Sequence, residues 1–76
     1  MTEQIKIADI TTEHPARYAH IVEHYRLRLA AGEILKPILV KRSSHGLVSL
    51  VDGHHRFEAH RLAGRDQIDA CVWSVN

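Results

Sequence analysis

The sequence predicts a small α/β (α+β) domain, a compact mixed sheet with two main helices, and three stretches carry that prediction. Gln4-Ile5-Lys6-Ile7-Ala8-Asp9-Ile10 has the period-two alternation of a half-buried strand. Tyr18, Ile21, Val22, Tyr25 and Leu29 recur at the three- and four-residue spacing of an amphipathic helix. Leu47-Val48-Ser49-Leu50-Val51 reads as a strand that hands over, through Asp52-Gly53-His54-His55-Arg56, to a second helix.

The elements follow in order. The first strand turns Ile5, Ile7 and Asp9 to one face. Thr11-Thr12-Glu13-His14-Pro15 is a polar turn into a helix from Ala16 to Ala31, with Pro15 in its first turn and Gly32 as its stop. After the loop Glu33-Ile34-Leu35-Lys36-Pro37, Ile38-Leu39-Val40 is a β-rich strand, and Ser43-Ser44-His45-Gly46 turns it into the next as a hairpin. The second helix runs from Phe57 to Ala63 and closes at Gly64, and Ile68 to Val75 supplies the last strand.

Seventy-six residues make one domain, 1–76, near the lower size limit for independent folding, and 45% hydrophobic content with 4 Gly and 2 Pro argues against disorder. Ten basic and nine acidic residues leave a net charge of +1, which argues against electrostatic capture of a nucleic-acid backbone and so against a DNA-binding or nuclease module. The single Cys71 forms no internal disulfide, no apolar run reaches the roughly 20 residues that span a bilayer, and no signal peptide is visible. A cytoplasmic protein is expected. The small core and the apolar groups on both faces of Cys71-Val72-Trp73-Ser74-Val75 suggest a homodimer.

Asp52 to Arg56 concentrate the chemistry. Where a strand enters a helix, the first backbone N–H groups are unpaired and the macrodipole is positive, so two imidazoles and a guanidinium there make an anion site with phosphate as its natural guest. Gly53 lets the backbone turn tightly and approach a ligand, and Asp52 suits either an N-cap or a metal ligand. The same residues also suit a plain turn with solvated histidines, and the local pattern leaves both open. His20-Ile21-Val22-Glu23-His24 spells the H-x-x-E-H pattern of inverted zinc peptidases, but such a site needs a third ligand and a cleft built by a larger chain.

The order strand, polar turn with Glu13, helix, Pro37-Ile38-x-Val40 strand, strand, Asp52-Gly53-His54-His55-Arg56-x-Glu58-Ala59 helix and strand resembles the ParB/sulfiredoxin-like superfamily. In that motif the chain is most similar to the nucleotide-dependent free serine kinase branch. The resemblance implies that Asp52, Gly53, His55 and Arg56 bind nucleotide phosphates, that Glu13 is a catalytic base, and that Ile34, Leu35, Lys36 and Pro37 lie against the nucleotide base. Sulfiredoxins place a nucleophilic cysteine where this sequence has His54, so their repair chemistry is not expected.

Phosphoryl transfer asks for positioning and charge neutralisation more than covalent chemistry. Arg56 would fork onto phosphate oxygens, His54 and His55 would donate hydrogen bonds, Asp52 would hold Mg2+ and share the catalytic role, and Glu13 would take a proton from a small hydroxyl-bearing substrate or water. The expected ligand is ATP or ADP, or another nucleotide such as CTP. The expected function is a small nucleotide-dependent phosphotransferase or nucleotidase; the alternative is a non-catalytic module that senses a nucleotide or phosphometabolite.

Overall fold

A computed structural model describes residues 2–74; Val75, included above in the last strand, lies outside the described residues. The alternating N-terminal stretch is not one strand. It divides into β1 (Thr2–Lys6), a 3-10 turn (Ile7–Asp9) and β2 (Ile10–Thr11), and α1 (Ala19–Ala30), β3 (Ile38–Arg42), β4 (Val48–Asp52), α2 (His54–Leu62) and β5 (Gln67–Ser74) follow. The strands form one sheet in the order β1-β5-β3-β4-β2. The β1/β5 and β3/β4 pairs are antiparallel, the second being the expected hairpin, and the β3/β5 and β2/β4 pairs are parallel.

The division has a topological cause. β1 and β2 occupy opposite edges, four strand spacings apart, which in a flat sheet is about 19 Å. Four residue steps carry the chain from Lys6 to Ile10, a reach of at most about 14 Å. The sheet therefore curls until its edges approach, and the 3-10 turn makes the crossing, with the Ile7 amide donating to the Asp66 carbonyl at 2.9 Å. Residues three apart eclipse in such a turn. Ile7 and Ile10 are accordingly buried, whereas Asp9, expected on the buried face, is exposed.

Ile5, Ile7, Ile10, Ile38, Val40, Val48, Leu50, Phe57, Ile68 and Ala70 form the core of the sheet, with Val72 packed against it. Its best-buried large side chains, Ile38 and Val40, belong to the central strand β3. A second cluster joins Val22 and Leu29 of α1, Leu35 of the following loop and Ala59 of α2. Phe57 and Ala59 stand on opposite sides of α2, so this helix is packed between the sheet core and α1.

Both helices start elsewhere than the sequence suggests. α1 begins at Ala19 rather than Ala16, so Pro15 precedes the helix instead of opening it, and Tyr18 is 48% exposed rather than buried. Just before α1 the Tyr18 amide donates to His55 Nε2 of α2 at 3.3 Å and the two rings stack. α2 begins at His54 rather than Phe57, and its N-cap is Gly53, with no side-chain cap bond. Asp52 therefore closes β4 and is not a cap. Among the described residues no helix is long and apolar enough to cross a membrane.

Candidate functional site

The first i→i−4 bond of α2 runs from the Phe57 amide to the Gly53 carbonyl at 2.8 Å. The amides of His54, His55 and Arg56 precede it and have no acceptor within the helix, so the positive end of α2 is open. It faces a cavity of about 520 Å³ lined by Asp52, Gly53, His54, His55 and Arg56 on one side and by His14, Pro15, Arg17, Tyr18, Ile21 and Tyr25 on the other. Two helix N-termini thus meet at one cavity.

The charge at this cavity is unbalanced. Among the described residues, Arg26, Arg28, Arg42 and Arg61 each pair with a glutamate: Glu23, Glu33, Glu3 and Glu58 respectively. Among the described residues Arg17, Arg56 and Arg65 have no carboxylate partner; the first two line the cavity, and Asp52 is the one acid in its lining. Where guanidinium groups pair on the surface, the carboxyls respond: the hydrogen bond from Arg42 holds Glu3, and that from Arg26 holds Glu23, below the usual carboxylate range.

Arg56 is placed with care. Its Nη2 donates to the Pro37 carbonyl at 3.3 Å, and its Nε is buried without a partner among the described residues. A buried donor left unpaired costs about 1–3 kcal/mol, so stability alone is a poor reason for an arginine here. Gly53 makes the placement possible. Its φ is +96°, in the left-handed region, and a Cβ at that position would lie 2.8 Å from Arg56 Nη2 and 2.9 Å from Ile38 Cγ2.

Asp52 reaches the wall through a bulge in β4. Val40 faces Leu50 while Leu39 faces Asp52, so Val51 is an extra residue on β4. Strict alternation from the buried Val48 and Leu50 would turn position 52 into the core; with the bulge, Val51 and Asp52 are both exposed.

The five motif residues are brought together, but the other expected contributors are not. Glu13 lies on an exposed loop beside His14 and is not part of the lining. Leu35 belongs to the core between the helices, and Ile34, Leu35 and Lys36 line a separate groove with His60 and Arg65. Pro37 touches the site through its carbonyl, which anchors Arg56. His14, Arg17, Tyr18, Ile21 and Tyr25 escaped the sequence reading as site residues. Arg17 carried a usable signal, a cation just before a helix start where an acid is preferred. His20 and His24 flank ring contacts with Tyr18 and Tyr25, and Glu23 is held by Arg26; among the described residues no three His, Cys, Asp or Glu converge as a metal cluster.

The ParB N-terminal domain family matches residues 3–76 of this geometry's chain. The chain belongs to that family. As a ParB N-terminal-type domain it superposes on sulfiredoxin from Arabidopsis thaliana with a TM-score of 0.87 at 19% identity, covering 99% of this chain and 86% of that one. It matches the chromosome-partitioning protein ParB from Caulobacter crescentus, complexed with CTP-gamma-S, with a TM-score of 0.80 at 20% identity. It also matches a free serine kinase in complex with AMP, with a TM-score of 0.81 at 19% identity. The match covers 100% of this chain and 46% of that C-terminally truncated ParB chain, and 95% of this chain and 30% of the kinase, so it spans less than half of either. At these identities the shared property is the fold, the sulfiredoxin- and ParB-like arrangement of a curled five-stranded sheet and two helices. No curated protein sequence matches the chain.

Proposed function

We propose that this domain binds a nucleotide through its phosphates, with the phosphate chain on the first turn of α2. The observation that carries the reading is that Arg17 and Arg56, without carboxylate partners among the described residues, line one cavity with the three amides at positions 54–56 that have no acceptor within α2. Those groups neutralise an anion from two sides: the amides and the dipole from α2, a guanidinium from the loop before α1. Support also comes from the relatives of like fold, one holding CTP-gamma-S and another AMP. ATP, ADP and CTP are the ligands to try first. Asp52 suits Mg2+ as a single protein ligand, since that ion is commonly held by one or two carboxylates together with substrate phosphates and waters.

Turnover is the second reading, and the bulge that exposes Asp52 at the cavity favours it. In a phosphotransferase the acceptor hydroxyl oxygen bonds to the terminal phosphorus, its proton passes to a carboxylate, and the nucleoside diphosphate leaves. Asp52 lines the cavity and Glu13 does not, so a general-base role for Glu13 calls for movement of its loop. A domain that binds without turnover acts as a sensor.

The test is a thermal-shift screen of ATP, ADP, CTP and inorganic phosphate, each with and without Mg2+. Binding at a hundredfold excess over Kd stabilises the fold by about 2.7 kcal/mol, a shift of several degrees for a domain of this size. If no nucleotide shifts the transition, the reading fails. With a binding nucleotide in hand, hydrolysis and transfer to small hydroxyl compounds separate enzyme from sensor. Glu13→Gln and Asp52→Asn should each lower turnover by about 10²-fold if they act as bases. A variant as fast as the unmodified protein clears its residue of the role.

A further inference from the structure

Neither helix at the cavity has a side-chain cap. α1 starts from Tyr18, whose carbonyl accepts the amides of Ile21 and Val22 at 3.1 and 3.2 Å. The amide of that same residue donates to His55 Nε2 at 3.3 Å, and the two rings lie 7° from parallel with centroids 5.9 Å apart. A backbone N–H only donates. Nε2 is therefore the acceptor, and the proton of the neutral imidazole sits on Nδ1.

We propose that His55 is a positioning residue, a clip that ties the start of α1 to the first turn of α2 and holds His14 and Arg17 at the cavity, and that protonation of its ring opens the clip. The imidazolium has a proton on both nitrogens, so Nε2 then confronts the Tyr18 amide donor to donor and the bond is lost. The ring stack then remains without an acceptor for the Tyr18 amide.

Several titratable and charged groups line the same cavity as His55. Tyr18, His14 and Arg17 come from the loop, Tyr25 from α1, Asp52 from the end of β4, and His54 and Arg56 flank it on α2. His20 touches the Tyr18 ring, centroid to centroid 5.9 Å, and adds a second imidazole near the clip. The clip itself stands on the bond and the stack. Its effect on affinity rests on the phosphate-binding reading, because only there does the position of Arg17 matter to a ligand.

The experiment is amide hydrogen exchange at Tyr18, read by NMR between pH 8 and pH 5.5 without ligand, followed by ADP affinity by calorimetry. His55→Leu keeps an apolar body and removes the acceptor; His55→Gln offers a carbonyl oxygen to the same N–H and does not titrate. The unmodified protein should lose protection at Tyr18 by about fivefold as imidazoles become charged, the scale of one neutral hydrogen bond. His55→Leu should be unprotected throughout, and His55→Gln should be protected and flat with pH. ADP affinity should fall by about fivefold in His55→Leu and recover in part in His55→Gln. Equal Tyr18 protection in His55→Leu and the unmodified protein, or an identical pH response in His55→Gln, overturns the clip. A protein that shows the exchange pattern but binds no nucleotide supports the clip and defeats the phosphate reading instead.

Discussion

Gly53 and Arg56 act as one unit. The glycine leaves the space that the guanidinium fills, and the guanidinium in turn closes over the start of β3 through the Pro37 carbonyl. Gly53→Ala meets both a left-handed φ and contacts under 3.0 Å, so it should cost about 2 kcal/mol or more, measured by denaturant unfolding. Arg56→Met should do the reverse. It removes the unpaired buried Nε while keeping the apolar stem, so stability should hold within about 1 kcal/mol or rise, even as the anion site loses a cation. A residue kept at some expense to the fold points to function. At this scale the motif was legible, because Gly53 and Arg56 announce a tight turn and a phosphate fork by their chemistry. Arg17 was only partly so, as a cation near a helix start, because its place at the cavity depends on where the chain before α1 lies, and that is tied to His55, 38 positions further on.

At the scale of elements, local periodicity served where one element stayed in one environment and failed where two met. The hairpin, the central β3 and the helix periodicity of Val22 and Leu29 were all readable from their residues. The N-terminal alternation misled because Ile5 and Ile7 fit a strand, while the 3-10 turn that brings Ile7 and Ile10 to the same side answers to sheet closure. The bulge at Val51 is likewise invisible in a run that alternates well up to Leu50. α2 is the element on which the site depends, since it touches both cores. Ala59 is fully buried against α1, so Ala59→Leu should force the helices apart at a cost of about 1–3 kcal/mol, again read from denaturant unfolding. The same displacement moves Tyr18 from His55, and ADP affinity should fall with stability.

For the whole molecule, curling is what lets so short a chain build a closed core, yet the outer surface keeps apolar groups in view. Trp73 at the end of β5 is 57% exposed and Val51 is 40% exposed. We expect self-association through that surface: sedimentation at high micromolar concentration should give a dimer and Trp73→Ser a monomer, while a monomeric unmodified protein would dismiss the idea. Acid should weaken the fold only slightly through its surface pairs. The carboxyls of Glu3 and Glu23 are depressed by their arginines, so their contribution is present above the ordinary value of 4.5 and is lost as pH falls through their folded range. Melting curves from pH 7 to pH 3 should show this effect shrinking in high salt, as expected for exposed groups. The central claim, that the first turn of α2 holds nucleotide phosphates, is met most directly by calorimetric titration of ADP and ATP into the unmodified protein and Arg56→Met. The account predicts saturable binding that weakens by about tenfold or more in the folded variant. Undiminished affinity in Arg56→Met, or no binding by the unmodified protein, would contradict it.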